Sequence, residues 1–498
     1  MRITTRMMTN NMLSNINKNK INLSKLEEQY STGKKIQRPS DDPIITVRAL
    51  KLRTSISEIN QYYEKNIPDA FSWMDVTESA LTTINELLRK MNKYCVQGSS
   101  DTLTAEDRAA IVENLRQIKE QIYQEGNTNY AGRYVFTGYK TDSSLTFMER
   151  TDNLRYDITE KFTGKDIETV FRVSGAYELK DFDDTTVNFD TPPQLENTYR
   201  IKLSYDRLED IVIDSIRFSL PVSDTESVEQ TPISNIKTVS VNDPNAYKPE
   251  PGFVNFIYET GELILHEDVY NDLRIADNIE LTYVKTSFEK GELKPEHYFN
   301  CVMTDLSKPE QDPITFTKSK QEIQYEVNFN QLLTINTEAS DAISHKIGRD
   351  IDDIIKCVND VIHTEYKIQE VEKRLKDTNL TPDDVERYNK MLEQLNTELT
   401  LRKEIMQKAF ARGITSSNEE QDRVNVAVAD LGSRQFRLRL TENRLSSQKV
   451  DFTELLSKNE DADIVDTIIN FNSAYMIYNA SLSASSRVVQ NSLLDFLR

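Results

Sequence analysis

The chain has 498 residues, 38% apolar and 29% charged, with 61 Lys and Arg against 81 Asp and Glu for a formal charge of −20. With only 13 Gly and 14 Pro it fits several helix-rich domains and excludes collagen-like or low-complexity polymers. The acidic surplus argues against a general nucleic-acid binder, which needs a basic stripe, and reads as a solubilising surface.

The first twenty residues scatter their apolar side chains among Asn, Thr and Lys, without the continuous apolar stretch of a secretory signal. Nowhere does a run of about 18 apolar residues suggest membrane insertion. Residues 1–40 are expected to form an N-terminal helical segment whose packing positions are Ile16, Leu23, Leu26 and Tyr30. In the loop that follows, Gly33 ends the helix, Pro39 stiffens the chain, Asp42 can cap and Pro43 takes the first position of the next helix. A bare Asp41-Asp42 pair is a poor cation site, so the loop is read as structural.

Residues 41–138 carry two long stripes at 3-4 spacing, Ile45-Ala49-Leu52-Ile56-Ile59-Tyr63 and Met74-Thr77-Leu81-Ile84-Leu88-Met91-Cys95. Ile111, Leu115, Ile118 and Ile122 make a third. From about 139 to 335 the period drops to two, as in Tyr199-Ile201-Leu203-Tyr205, Ile279-Leu281-Tyr283 and Ile323-Tyr325-Val327-Phe329, which predicts strands with one buried face. Ten of the fourteen prolines lie between Pro192 and Pro313, and Glu259-Thr260-Gly261-Glu262 has the form of a hairpin turn.

Residues 336–455 return to helix. A hairpin at about 366–413 is expected, broken at Thr378-Asn379-Leu380 and restarted by Thr381 as N-cap with Pro382 behind it. Val424, Leu431, Leu438, Leu445 and Phe452 then repeat every seven residues. The C-terminal helical segment, 456–498, carries Ile468, Phe471, Tyr475, Tyr478, Leu482, Val489 and Phe496. Through Ile36 the N-terminus holds seven Lys and Arg against two Glu, and from Leu455 onward three basic residues face five acidic ones. Opposite signs favour a meeting of the two ends, and isolated amphipathic helices of this kind are marginal in water. The expectation is an α+β multidomain protein, with long coiled-coil-like helices from both ends forming a rod and a β-rich central insertion.

No catalytic, cofactor or metal site is expected. The four histidines, His266, His297, His345 and His363, include no HExxH spacing, and no P-loop, GxGxxG or GxSxG pattern occurs. Cys95, Cys301 and Cys357 offer neither a disulfide framework nor a CxxC zinc site. Acidic pairs such as Asp183-Asp184 and Asp352-Asp353 are what 81 carboxylates produce by chance.

Ser31-Thr32-Gly33-Lys34-Lys35-Ile36-Gln37-Arg38-Pro39-Ser40-Asp41-Asp42-Pro43 resembles the TGKRINRPSDDP loop of the hook-associated protein 3 family within the flagellin superfamily. Flagellins carry a related loop without Arg-Pro-Ser. Thr102–Arg108 resembles the start of the second helix shared by these families, and Gly132–Asp142 their exit into the central domain. Leu440–Leu445 and Ser492–Arg498 resemble the terminal helices. The likeness covers about 1–142 and 415–498; Thr146-Phe147 departs from the family's usual Pro-Phe, and the 366–413 hairpin has no counterpart in short members.

The resemblance implies a non-enzymatic structural subunit joining flagellar hook to filament, with a filament-type flagellin as the nearest alternative. It implies homo-oligomerisation at the junction through the terminal helices, with a neighbouring hook-associated protein and flagellin as partners. An export chaperone on the C-terminal segment, an extracellular location and export without a cleaved signal peptide are implied too. The terminal stripes should then stay mobile in the single chain and order on assembly.

Overall fold

The computed structural model describes residues 5–496 apart from 101–102, 183–186, 188, 212, 224–225 and 377–380. In chain order the elements begin with α1 (Thr5–Thr32), α2 (Pro43–Gln61), a π-turn at Tyr62–Asn66, α3 (Ile67–Gly98) and α4 (Ala105–Glu125). The strands follow: β1 (Asn129–Tyr130), β2 (Arg133–Tyr134), β3 (Leu154–Phe162), β4 (Glu168–Ser174), β5 (Gln194–Lys202), β6 (Arg217–Ser223), β7 (Glu226–Glu229), β8 (Ile236–Val239), β9 (Val254–Ile257) and β10 (Glu262–Leu265). After α5 (Glu267–Leu273) come β11 (Asn278–Lys285), β12 (Asn300–Asp305), β13 (Ile314–Phe316), β14 (Gln324–Asn328) and β15 (Gln331–Thr334). The chain closes with α6 (Ala339–Ala342), α7 (His345–Leu375), α8 (Pro382–Glu460) and α9 (Ile464–Phe496). This is the expected α+β arrangement, helical at both ends with a β-rich middle.

Two compact units result. One gathers 1–69, 326–333 and 436–498; the other holds 70–325 and 334–435. In the larger unit every member of the Met74–Cys95 stripe is buried, as are Ile111, Leu115, Ile118 and Ile122 of α4 and Ile347, Ile351, Ile354, Val358 and Val361 of α7. Helices α3 and α8 run antiparallel, with Asn92 Nδ2 donating to Ser417 Oγ at 2.9 Å, Asn85 to Asn425 at 2.6 Å and Gln435 to Glu78 at 2.9 Å. Val424 and Leu431 are fully buried on the heptad positions of α8. Gly413 sits where a Cβ would stand 2.6 Å from Ile354 Cδ1, so the helices approach closely there.

Thr381 caps α8 as expected: Asp384 N–H donates to Thr381 Oγ1 at 3.2 Å and Thr381 Oγ1–H to Asp384 Oδ2 at 2.6 Å. The break at Thr378-Asn379-Leu380 lies outside the described residues. On the helical hairpin, Val371, Met391 and Leu395 share a small core with Phe189, whose ring meets Tyr177 edge-on at 4.9 Å. A pair invisible in the sequence pattern lies beneath it, Lys367 and Glu398, both fully buried at 3.4 Å, with Arg402 Nε on the same carboxylate at 2.6 Å.

The insertion consists of a six-stranded sheet, β13-β12-β3-β11-β6-β7, antiparallel throughout, and a five-stranded sheet, β4-β5-β10-β9-β8, in which only β8 and β9 are parallel. Tyr156, Ile158, Leu281 and Tyr283 of the first sheet share one core with Ile201, Phe256 and Leu263 of the second. The expected turn falls between β9 and β10, with Gly261 at φ +64. One strand departs from the sequence reading. Val327 is buried, but β14 stops at Asn328 and Phe329 stands in the turn, 74% exposed, because the hairpin closes through Asn330 at φ +54. The tip of that hairpin also groups with the terminal unit, where Asn66 Nδ2 donates to Glu326 O at 2.8 Å and Arg444 to Gln331 Oε1 at 3.1 Å.

An ionic cluster fastens β5 to α7. Arg200 lies 2.6 Å from Glu262, 2.6 Å from Glu168 and 2.7 Å from Asp353, and Lys202 Nζ reaches Asp353 at 2.7 Å. Burial opposes the Asp353 charge, but Arg200 and Lys202 outweigh it and hold the carboxyl well below the usual range; Arg200 and Lys356 likewise hold Glu262 at about 2 against its own burial. Asp353→Ala takes the carboxylate from buried Lys202 and one of three from Arg200, and should cost about 3–5 kcal/mol in urea unfolding. His297 and His345 are held at about 3 by burial first and neighbouring cations second. A depressed histidine contributes stability that is complete above its unfolded value of about 6.5 and is lost as pH falls toward the folded one. The thermal midpoint should therefore fall between pH 6.5 and 4, and His345→Gln should flatten that slope.

Candidate assembly site

Helix α1 ends where Gly33 enters the left-handed region at φ +70, its N–H returning to Gln29 O at 2.9 Å. The connector 33–42 then lies against the connector between α8 and α9. Lys35 N–H donates to Glu460 O at 2.7 Å and Ala462 N–H to Gly33 O at 2.8 Å, an antiparallel bridge centred on Lys34 and Asp461. Lys34 Nζ reaches Asp461 at 2.5 Å and Glu460 at 3.3 Å, while Arg53 Nε meets the other Glu460 oxygen at 3.2 Å. Hydrogen bonding to Asp461 leads the causes that raise Lys34.

Within the connector, Asp41 accepts N–H groups from Arg38 at 3.0 Å and Gln37 at 3.3 Å, which lowers its pKa. Asp42 Oδ1 accepts from Ile44 and Ile45 at 3.0 and 3.1 Å, and Pro43 takes the first helical position. Arg38, Pro39 and Ser40 face outward. The loop thus turns the chain from α1 into α2.

That junction aligns α1 antiparallel to α9, as the Asn19–Ser481 hydrogen bond at 3.2 Å and the Tyr30–Phe471 ring stack at 6.4 Å record. Half-buried positions on α1 are Met12, Ile16, Asn19, Leu23, Leu26 and Gln29, and on α9 Phe471, Ala474, Tyr478, Ser481 and Ser485, with Thr467 buried. Both sets keep 3-4 spacing. Of the positions singled out in the sequence, Ile16, Leu23, Leu26, Phe471 and Tyr478 lie in this seam. Tyr30, at its edge, is 52% exposed, and Ile468, Tyr475 and Leu482 stand beside it, 37%, 52% and 42% exposed. The side chains of Val489 and Phe496 lie outside the described residues. Sequence reasoning passed over Thr467, Ala474, Ser481 and Ser485 because it followed large apolar side chains; the 3-4 recurrence of small ones was the available signal.

The two helices are therefore each other's partner in a single chain, yet much of their apolar surface stays uncovered. Ile464, Val465, Ile469, Met476 and Ile477 of α9 are exposed, with Met7, Met8, Leu13 and Ile21 of α1 and Ile44, Val47 and Leu50 of α2. Among the described residues no group of three or more His, Cys, Asp or Glu is arranged to hold a metal ion, and no helix is long and apolar enough to cross a membrane.

The bacterial flagellin N-terminal helical region matches residues 3–141, and the bacterial flagellin C-terminal helical region matches 415–497. The two matched regions contain α1 to α4, the C-terminal part of α8, and α9. Flagellar hook-associated protein 3 of Salmonella typhimurium is 34% identical over 147 residues, 29% of this chain and 45% of that protein. A flagellin of Clostridium tyrobutyricum is 36% identical over 122 residues, 24% of this chain and 32% of its own. The chain thus spans less than half the length of these relatives. A solved flagellar hook associated protein-3 from Legionella pneumophila superposes with a TM-score of 0.31 at 12% identity, over 82% of this chain and 98% of its own.

Gly33→Ala introduces a Cβ with open space around it, so the left-handed backbone alone sets its cost, about 1 kcal/mol in unfolding of the terminal helices. Asp42→Ala should cost about as much by uncapping α2.

Proposed function

We propose that the chain is a non-catalytic structural subunit of the bacterial flagellum, placed outside the cell where hook meets filament, and polymerising through α1 and α9. The carrying observation is that its flagellin-type ends pair through a seam of partly small and polar residues, leaving large apolar side chains outside it for neighbouring copies. At about 25 cal/mol per Å² of apolar surface removed from water, a few such residues per contact offset the cost of ordering the helices. A neighbouring hook-associated protein on one side and flagellin on the other are the partners of this reading. A chaperone covers the C-terminal segment before export, which proceeds without cleavage of a signal peptide.

The likeness to the Clostridium tyrobutyricum flagellin favours a second reading, a filament subunit. A deletion strain separates the two. A junction protein's loss leaves hooks in place and flagellin released into the medium, whereas a filament subunit's loss removes the flagellin itself; fluorescent label should give one focus per hook tip, not a line along the filament. Truncation after Ala480 should abolish assembly in sedimentation while the far-UV and near-UV signals of the β-rich insertion persist. Normal polymers from that truncation would defeat the assembly mechanism.

A further inference from the structure

At the end of β11, Lys285 is fully buried, and its ammonium faces two carboxylates: Glu292 at 3.6 Å and Asp206 at 4.0 Å. Its Nζ donates to the backbone carbonyl of Asp206 at 2.6 Å, which fixes the amine beside both acids. The Phe288 ring centroid at 5.3 Å and that of Tyr205 at 5.8 Å close the apolar side. Glu292 is held on both oxygens: Arg207 donates to Oε1 at 2.6 Å and the Glu289 N–H to Oε2 at 3.2 Å.

We propose that Lys285 and Glu292 condense into an intramolecular amide, with Asp206 as the proton carrier. A buried amine is a lysine prepared as a nucleophile, because burial favours its neutral form; burial also raises Lys285's neighbour Glu292, while Arg349, Lys285 and Arg207 outweigh burial and keep Asp206 an ionised base. The balance closes without any outside reagent. Nζ forms a bond to the Glu292 Cδ, the Cδ–Oε2 bond breaks, and two of the three ammonium protons reach Oε2 by way of Asp206, so ammonium and carboxylate become a secondary amide and one water. Arg207 stands where the oxyanion on Oε1 develops. Fixed neighbours of this kind react with effective molarities on the order of 10⁵–10⁸ M, which reverses the preference for hydrolysis that free acids and amines show in water. The product retains one N–H, and the Asp206 carbonyl is there to accept it. The bond would clamp the 286–291 loop, which carries the core aromatic Phe288.

The test is the intact mass of the full-length protein, purified, allowed to stand folded and then denatured. Condensation makes it lighter than its sequence by one water, about 18 Da. Trypsin should fail to cut after Lys285 and should release residues 275–290 joined to 291–318. Lys285→Met and Glu292→Ala should each restore the full sequence mass, and Asp206→Asn should slow the mass loss at least tenfold while the near-UV spectrum stays native. A folded wild-type protein that keeps its full sequence mass after days at neutral pH overturns the proposal. So does a water loss mapped to any other pair, Lys285 with Asp206 included.

Discussion

The terminal unit depends on two short connectors that hydrogen-bond to each other. Gly33 and Lys35 exchange backbone bonds with Ala462 and Glu460, and the Glu460 carboxylate collects Lys34 from the connector and Arg53 from α2. Residues more than 400 positions apart in sequence are brought into register there, at a large cost in loop-closure entropy. Once they are fixed, α1 and α9 have a single antiparallel alignment, and the same corner sets α2 against the end of α8 through Asn459 and the Ile45 carbonyl at 3.0 Å. The charges assist the alignment but do not carry it alone: exposed pairs such as Lys34–Asp461 contribute little, whereas Glu460 is nearly buried and its two cationic neighbours act together.

A different solution operates in the larger unit. There the insertion is fastened to helix by buried charge, with Arg200 and Lys202 on β5 set against Glu168, Glu262 and Asp353. Such clusters add less net stability than well-packed apolar groups of the same volume, because desolvation consumes most of the attraction. What they supply is direction. An apolar interface between a sheet and a helix tolerates sliding by a residue, but three carboxylates around one guanidinium do not. Lys367 and Glu398 serve the same purpose inside the helical hairpin.

Function follows from where the chain leaves its apolar surface. Helices α3, α4 and α7 bury most of their stripes, and the two sheets share one core. The ends are unfinished. Thr467, Ala474, Ser481 and Ser485 let α9 lie close to α1, and that close approach turns Ile468, Tyr475 and Leu482 to the flank, beside an outer face of Ile469, Met476 and Ile477. That uncovered apolar face is the observation on which the proposed assembly through α1 and α9 rests.

Periodicity along the chain determined a good deal. The heptad of Leu431, Leu438 and Leu445, the α3 stripe down to Cys95, the Asp42–Pro43 and Thr381–Pro382 helix starts and the Gly261 turn are local, set by spacing and by what one side chain does to its own backbone. Phe329 marks the limit of that reasoning, since alternation continued in the sequence after the hairpin had begun to turn. The seam between α1 and α9 was legible only in part: large apolar residues advertise themselves, while small residues that permit close approach do not. The buried pairs, Arg200 with its three carboxylates and Lys367 with Glu398, were decided by tertiary structure alone, because a charge becomes structural only when distant segments remove it from water together, and no spacing within one segment encodes that.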